Sequence, residues 1–247
     1  KRVKQIIPAM GTIIEVQLQE GDASLNEKAF KAAFDEIRRI DSLFTDYNYS
    51  SAIGSLNKVD SGSVTVNPEV VALIRRGLEL SPRTEGAFDI TLGSVVRLWG
   101  FKDGTMHLPA LDSIKIALDK TGIGKIKVMN DTLIEKKGEI YLDLSGITKG
   151  YAVDRACAVL EKSGVKSFLI NAGGEIRAKG EGWTTGIQDP FNERGIVEIL
   201  YPGKKAVATS GDYENFFEVD GKRYCHLFDP KTGFPAVKVS SVTVLAD

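Results

Sequence analysis

The sequence predicts an α+β domain built on antiparallel sheet. Three observations lead there: helical periodicity is confined to a few separated stretches, short strand-like runs crowd the second half of the chain, and Asp220-Gly221 between ENFFEV and KRYCHLF is a strong hairpin signal. No linker, repeat or low-complexity segment cuts the chain, so residues 1–247 read as a single domain, near the upper size for one core.

The elements follow in order. Residues 12–19 (TIIEVQLQ) alternate apolar and polar, the mark of a strand with one buried face. From Leu25 to Phe44, the residues Phe30, Ala33, Phe34, Ile37, Ile40 and Phe44 recur at helical spacing and predict a long amphipathic helix. The polar stretch DYNYSSAIGSLNK that follows reads as an exposed loop, and its Tyr47 and Tyr49 are costly there unless they cover something such as a flat heterocycle. A second helix opens at Pro68, carries Val70, Val71, Ile74 and Leu78 on one side, and should stop before Pro82. LDSIKIALDK (111–120) predicts a short helix closed at Thr121-Gly122. Two strand-like runs, IKVMN and TLIEKKGEIYLDL, come next with a turn at Lys137-Gly138. A third helix is expected from about Tyr151 to Lys162, ending at Ser163-Gly164. SFLINAGG, IVEILYP, KAVATSG, ENFFEVDGKRYCHLFD and VSSVTVLAD then read as strands.

Composition excludes several classes. Lys+Arg number 32 and Asp+Glu 33, a net charge of −1 without the basic stripe that a nucleic-acid partner requires. Hydrophobic residues at 43% and charged residues at 26% are ordinary globular values, which excludes a disordered chain. No window approaches the roughly 20 apolar residues of a membrane-spanning helix. The chain starts at Lys1 with neither an initiator Met nor an apolar signal region, which leaves room for a targeting segment already removed. Cys157 and Cys225 are too few for a disulfide scaffold, and whether they meet is open.

The glycines cluster with small polar residues at LSGITKG (144–150), NAGGEI (171–176), ATSGDY (208–213) and DPKTGF (229–234). Any one of these alone reads as a tight turn between strands; the four together favour a nucleotide site, with LSGITKG opening a helix and Lys149 adding charge suited to phosphate. None is a P-loop or a GxGxxG fingerprint. With only His107 and His226, a His-rich metal site is excluded by counting. His107 in DGTMHLP reads as exposed. His226 reads either as a packed strand histidine or as a functional one at a strand end, and Cys225, its neighbour, should face the other way. Asp89 in GAFDIT and Asp143 in YLDLSG border apolar stretches and should be partly buried carboxylates in need of partners, with capping or turn roles as the plain alternative.

Taken in order, MGT (10–12), YNYSSAIGSLN (47–57), GAFDITLGSVVRLWGF (86–101), LDLSGITKGYAVDRA (142–156), NAGGEI, ATSGDYENFFEVDGKRYCHLFDPKTGFPA (208–236) and SVTVLA (241–246) resemble the ApbE family, the FAD:protein FMN transferases. The likeness is collinear from Met10 to the last residue. It implies an α+β fold of T-fold type with FAD in a cleft between lobes. It implies Mg²⁺ and a reaction in which FAD is split, AMP leaves and FMN is joined through its phosphate to a threonine of an acceptor protein, such as a redox-pump subunit. It also implies a protein outside the cytoplasm, periplasmic and anchored at the inner membrane as a lipoprotein through a removed N-terminal segment.

Residue by residue, the resemblance places Met10 and Tyr47 against the flavin, and Ala87, Phe88, Asp89, Asp143 and Lys149 among the FAD contacts. Gly173 and Gly174 would admit the nucleotide, Glu175 stands where the family usually has Asp, and Leu227 lies beside the flavin. The Gly146 carbonyl matches a Mg²⁺ ligand and His226 the general base. The family continues after SVTVLA into an Asp-Ala-x-x-Thr motif with two further Mg²⁺ ligands, so the C-terminal end of the family domain is expected to be missing from a sequence ending at Asp247. Two rivals share these residues: a Mg²⁺-dependent FAD pyrophosphatase, in which water replaces threonine, and a non-catalytic FAD-binding protein.

Overall fold

A computed structural model describes every residue except Tyr47, Tyr49 and Asp247, and every side chain of those except Glu193 and Arg194. The tyrosine expectation at 47 and 49 therefore lies outside the described residues. The chain forms two compact units, Lys1–Ser42 with Thr148–Gly211 and Ser240–Asp247, and Leu43–Ile147 with Asp212–Val239. Their segments interleave along the sequence, so no linker marks the division.

The first unit is built on a six-stranded antiparallel sheet in the order β1-β2-β6-β7-β10-β13. Its strands are β1 (Arg2–Ala9), β2 (Thr12–Gln19), β6 (Phe168–Ala172), β7 (Glu175–Lys179), β10 (Ala206–Gly211) and β13 (Ser241–Ala246). The alternation read in residues 12–19 holds, because Ile14, Val16 and Leu18 are all buried. They share a core with Phe168, Ile170 and Ala172 of β6, with Phe30, Ala33, Phe34 and Ile37 of helix α1 (Ala23–Phe44), and with Val153, Ala156, Cys157 and Leu160 of helix α6 (Ser145–Lys162). Leu169, between those β6 residues, packs on the opposite face with Ile176, Ala178, Trp183 and Val207. A two-stranded ribbon, β8 (Thr185–Asp189) and β9 (Asn192–Leu200), completes this unit.

The second unit holds helices α2 (Ala52–Asn57), α3 (Pro68–Arg83), α4 (Gly93–Leu98) and α5 (Leu111–Asp119). With them are a three-stranded sheet, β3 (Gly62–Thr65), β5 (Leu133–Lys136) and β4 (Ile126–Val128) in the order β3-β5-β4, and the hairpin β11 (Phe216–Val219) and β12 (Lys222–Cys225). The hairpin turns at Asp220-Gly221, as its dipeptide predicts: both residues have positive φ, 50° and 73°. Trp99 is fully buried, with ring centroids of Tyr224, Phe234, Phe228 and Phe217 at 5.5, 5.6, 5.8 and 6.2 Å, and its Nε1–H donates to the Gly233 carbonyl at 2.9 Å. Trp99→Ala is expected to lower stability by about 3–5 kcal/mol, read from urea unfolding, because it opens a cavity and orphans that carbonyl. A loss below about 1 kcal/mol would show that these rings collapse without the indole.

Several boundaries differ from expectation. The stretch read as an exposed loop contains α2, with Ser51 Oγ accepting from Gly54 N at 2.8 Å and with Ile53 and Leu56 buried. Six residues are too few to reveal a helical period. Helix α3 runs on through Pro82 to Arg83, because a proline in the last turn costs only one ladder hydrogen bond. The turn between β4 and β5 lies at residues 129–132, where Asn130 Oδ1 accepts from Thr132 N, and beyond Lys137-Gly138 the run pairs only at a Tyr141–Leu92 bridge. Helix α6 starts at Ser145, so LSGITKG forms its first turns rather than a loop before it. Strands β1, β3, β7 and β8 and helix α4 had no separate signal. Both cysteines are buried, unpaired thiols, and burial pushes the Cys157 thiol up to about 12.

Candidate functional site

In the first unit, two hairpin turns stand side by side. Met10-Gly11 joins β1 to β2, Gly173-Gly174 joins β6 to β7, and the pairing of Ile14 with Ala172 makes the turns neighbours. Met10 has φ of 54°, a conformation a side chain of its size rarely adopts, and donates its N–H to Asp41 Oδ2 at 3.0 Å. Its side chain is half-buried and packs against the core of the first unit. Gly173 has φ of 62°, and a Cβ there would lie 2.3 Å from Thr12 Oγ1. Its glycine thus makes room for Thr12, a packing reason the sequence could not reveal. Gly174 donates its N–H to Asn171 Oδ1 at 3.0 Å.

Glu175 opens β7 and pairs with Lys149, which lies in the second turn of α6, at 2.9 Å. Burial raises the Glu175 carboxyl above the usual range despite the ammonium beside it. Lys149, expected to offer its charge to phosphate, already shares it with this carboxylate.

In the second unit, the structure brings the GAFDIT and LDLSG segments together. Asp143 N donates to the Ile90 carbonyl at 2.8 Å and Gly93 N to the Tyr141 carbonyl at 3.1 Å. The Phe88 ring lies 3.1 Å from where a Cβ on Gly146 would sit, so these two predicted residues are in contact. Ala87 is exposed, and Phe88 N donates to Thr84 Oγ1. Asp89 Oδ1 accepts from Thr91 N at 2.7 Å and from Thr91 Oγ1 at 2.6 Å, the turn role set beside its functional one.

Asp143 is a buried carboxylate with partners, as its sequence setting predicts. Its Oδ1 accepts from Ser145 N at 2.8 Å, and its Oδ2 lies 3.0 Å from Lys102 Nζ. Lys102 also lies 3.2 Å from Asp46 Oδ2. Burial pushes the Asp143 carboxyl up, but Lys102 and Ser145 outweigh it and hold the group below its ordinary value. Asp46 goes the other way, raised by burial, while the Lys102 ammonium is raised because the two carboxylates exceed its own desolvation. The sequence reading missed Lys102 and Asp46. Lys102 sits in an unremarkable polar turn, and only tertiary contact reveals its partners.

His226 follows β12 directly and is partly exposed. Its backbone N–H donates to the Asn215 carbonyl at 3.1 Å, and its Nδ1 lies 3.2 Å from the same oxygen. A carbonyl only accepts, so Nδ1 carries the proton of the neutral ring and Nε2 carries the basic lone pair. Cys225 directs its thiol toward the carbonyls of Ala236 and Leu227, at 3.5 and 3.8 Å, so the two neighbours do not act as a nucleophile pair. Leu227, partly buried, holds Ala236 N on its own carbonyl at 2.7 Å. Asp229 closes a turn, accepting from Lys231 N at 2.9 Å, as DPKTG predicts. His107 is exposed. Tyr47 lies outside the described residues. Among the described residues no three His, Cys, Asp or Glu side chains converge as metal ligands.

Residues 10–247 match the ApbE family. The FAD:protein FMN transferase of Vibrio cholerae is 34% identical over 249 residues, covering 96% of this chain and 75% of that protein. The crystal structure of the ApbE protein of Thermotoga maritima superposes with a TM-score of 0.94 at 31% identity, covering 100% of this chain and 82% of that one. The Pseudomonas stutzeri flavinyl transferase ApbE in its apo form gives 0.87 at 30% identity, covering 99% and 79%.

Proposed function

The chain belongs to the ApbE family, and on that premise we propose that it is an FAD:protein FMN transferase. The observation that carries this reading is the agreement of sequence and fold with named flavin transferases over nearly the whole chain.

The reaction is a phosphoryl transfer, governed by positioning and charge. The threonine oxygen of the acceptor attacks the phosphorus on the riboflavin side of the FAD pyrophosphate. The bond to the bridging oxygen breaks, and that oxygen leaves on AMP. His226 Nε2 takes the threonine proton, and the Asn215 carbonyl holds the ring in the tautomer that can do so. Met10, Tyr47, Ala87, Phe88, Asp89, Asp143, Gly173, Gly174, Glu175 and Leu227 are assigned to FAD, with Lys149 acting together with Glu175.

Mg²⁺ enters the proposal on the family likeness alone; when bound, it would neutralise pyrophosphate charge. The described residues do not by themselves fit it: Gly146 offers one main-chain carbonyl in the first turn of α6, and no ligating side chains converge. The same likeness supports an extracytoplasmic, lipid-anchored protein acting on redox-pump subunits. No helix among the described residues is long and apolar enough to cross a membrane.

The test is incubation with FAD, Mg²⁺ and an acceptor domain bearing a flavinylation threonine, followed by mass spectrometry. An acceptor heavier by one FMN, with AMP released, is the expected result. Free FMN and AMP with an unmodified acceptor would make it a pyrophosphatase, and intact FAD a binding protein.

A further inference from the structure

We propose that Lys102 is a positioning residue that sets the affinity of this protein for FAD, a reading that rests on the transferase assignment above. Its ammonium lies 3.0 Å from Asp143 Oδ2 and 3.2 Å from Asp46 Oδ2. The three side chains are only 19%, 9% and 7% exposed, in the order Lys102, Asp143, Asp46. Asp46 Oδ2 is buried and has no aligned hydrogen bond, so the nearby ammonium is what compensates its charge.

The cluster joins three segments that the flavin assignment uses. Asp46 immediately precedes Tyr47 in the sequence. Asp143 holds the first turn of α6 through Ser145 N, one residue before Gly146, and Gly146 faces the Phe88 ring. The Phe88–Asp89 segment is tied to Asp143 in turn, since Asp143 N donates to the Ile90 carbonyl. Lys102 belongs to none of these segments, yet its one charge holds two of them directly and the third through Asp143. Remove it and the two carboxylates face each other in a site with little water, with no cation left to tie their segments together. Both the mutual repulsion of those segments and the added negative potential oppose binding of an anionic dinucleotide. Neither involves His226, the group assigned to proton transfer, so the effect belongs in binding rather than turnover.

The experiment compares K102M, K102R and K102M/D46N in the full chain, by flavin-fluorescence titration with FAD and by steady-state FMN transfer. K102M is expected to raise Kd and KM for FAD about tenfold with kcat within about twofold. K102R, which keeps the charge, should recover most of the affinity. K102M/D46N restores the net charge but takes the ammonium from Asp143 and cuts the tie between the two segments, so its Kd should stay raised. Should K102M not fold, this charge-balanced variant decides: a raised Kd supports the proposal and a wild-type Kd overturns it. A folded K102M with unchanged Kd, or with lowered kcat at unchanged KM, also overturns it. Wild-type protein that binds FAD but transfers no FMN would sink the transferase assignment instead, leaving the Kd comparison valid.

Discussion

His226→Ala is expected to bind FAD as the wild type does and to transfer FMN more slowly by a factor on the order of 10²–10⁴, the usual loss when a general base is removed from a positioned site. The Asn215 carbonyl, 3.2 Å from Nδ1, fixes which ring nitrogen is basic. FAD titration and single-turnover transfer separate the two effects. Equal transfer by the variant would remove His226 from the mechanism; lost binding would make it a contact to FAD rather than the base.

Lys149→Met should have the next largest effect, and on stability first. The ion pair to Glu175, at 2.9 Å, has side chains 29% and 21% exposed, so its loss is discounted from a fully buried case to roughly 2 kcal/mol, or about 4–8 °C in Tm for a chain of this size. The pH dependence has a defined sign. Burial already raises the Glu175 carboxyl above its ordinary value of 4.5, so the native state holds the proton more tightly than the unfolded chain does. Stability tied to this group is therefore complete below that value and falls as pH rises through the raised one. Without the ammonium the raised value climbs further, so the deficit of the variant should be greatest near neutral pH and shrink as pH is lowered. Glu175→Gln added to Lys149→Met should abolish that dependence. A deficit that does not vary with pH would mean that lost aliphatic packing, not the orphaned carboxylate, is responsible. In the transferase assay both variants should also weaken FAD binding, since the family likeness assigns both Glu175 and Lys149 to FAD and the two are paired.

Much of the architecture was legible because its signals are local. The alternation over 12–19 marks a strand whose apolar side chains are all in the core, and Pro68 and Asp220-Gly221 fix a helix start and a hairpin within a few residues. Elements without such a signal were not legible. Helix α2 is too short to show a period and exists because Ile53 and Leu56 find a core to enter. Helix α3 continues through Pro82 because its last turn tolerates one lost hydrogen bond.

The site divides in the same way. The ordered motifs determined the family, and they named Met10, Asp143, Gly173 and His226, because each motif is a contiguous run whose residue types can be read directly. Tertiary structure alone decided the partners: Asp41 under Met10, Thr12 against Gly173, Glu175 on Lys149, and Lys102 between Asp46 and Asp143. A residue's type and its near neighbours set its conformation and chemistry. Its charge state and orientation depend on burial and on groups far away in sequence, which only the folded chain brings within a few ångströms.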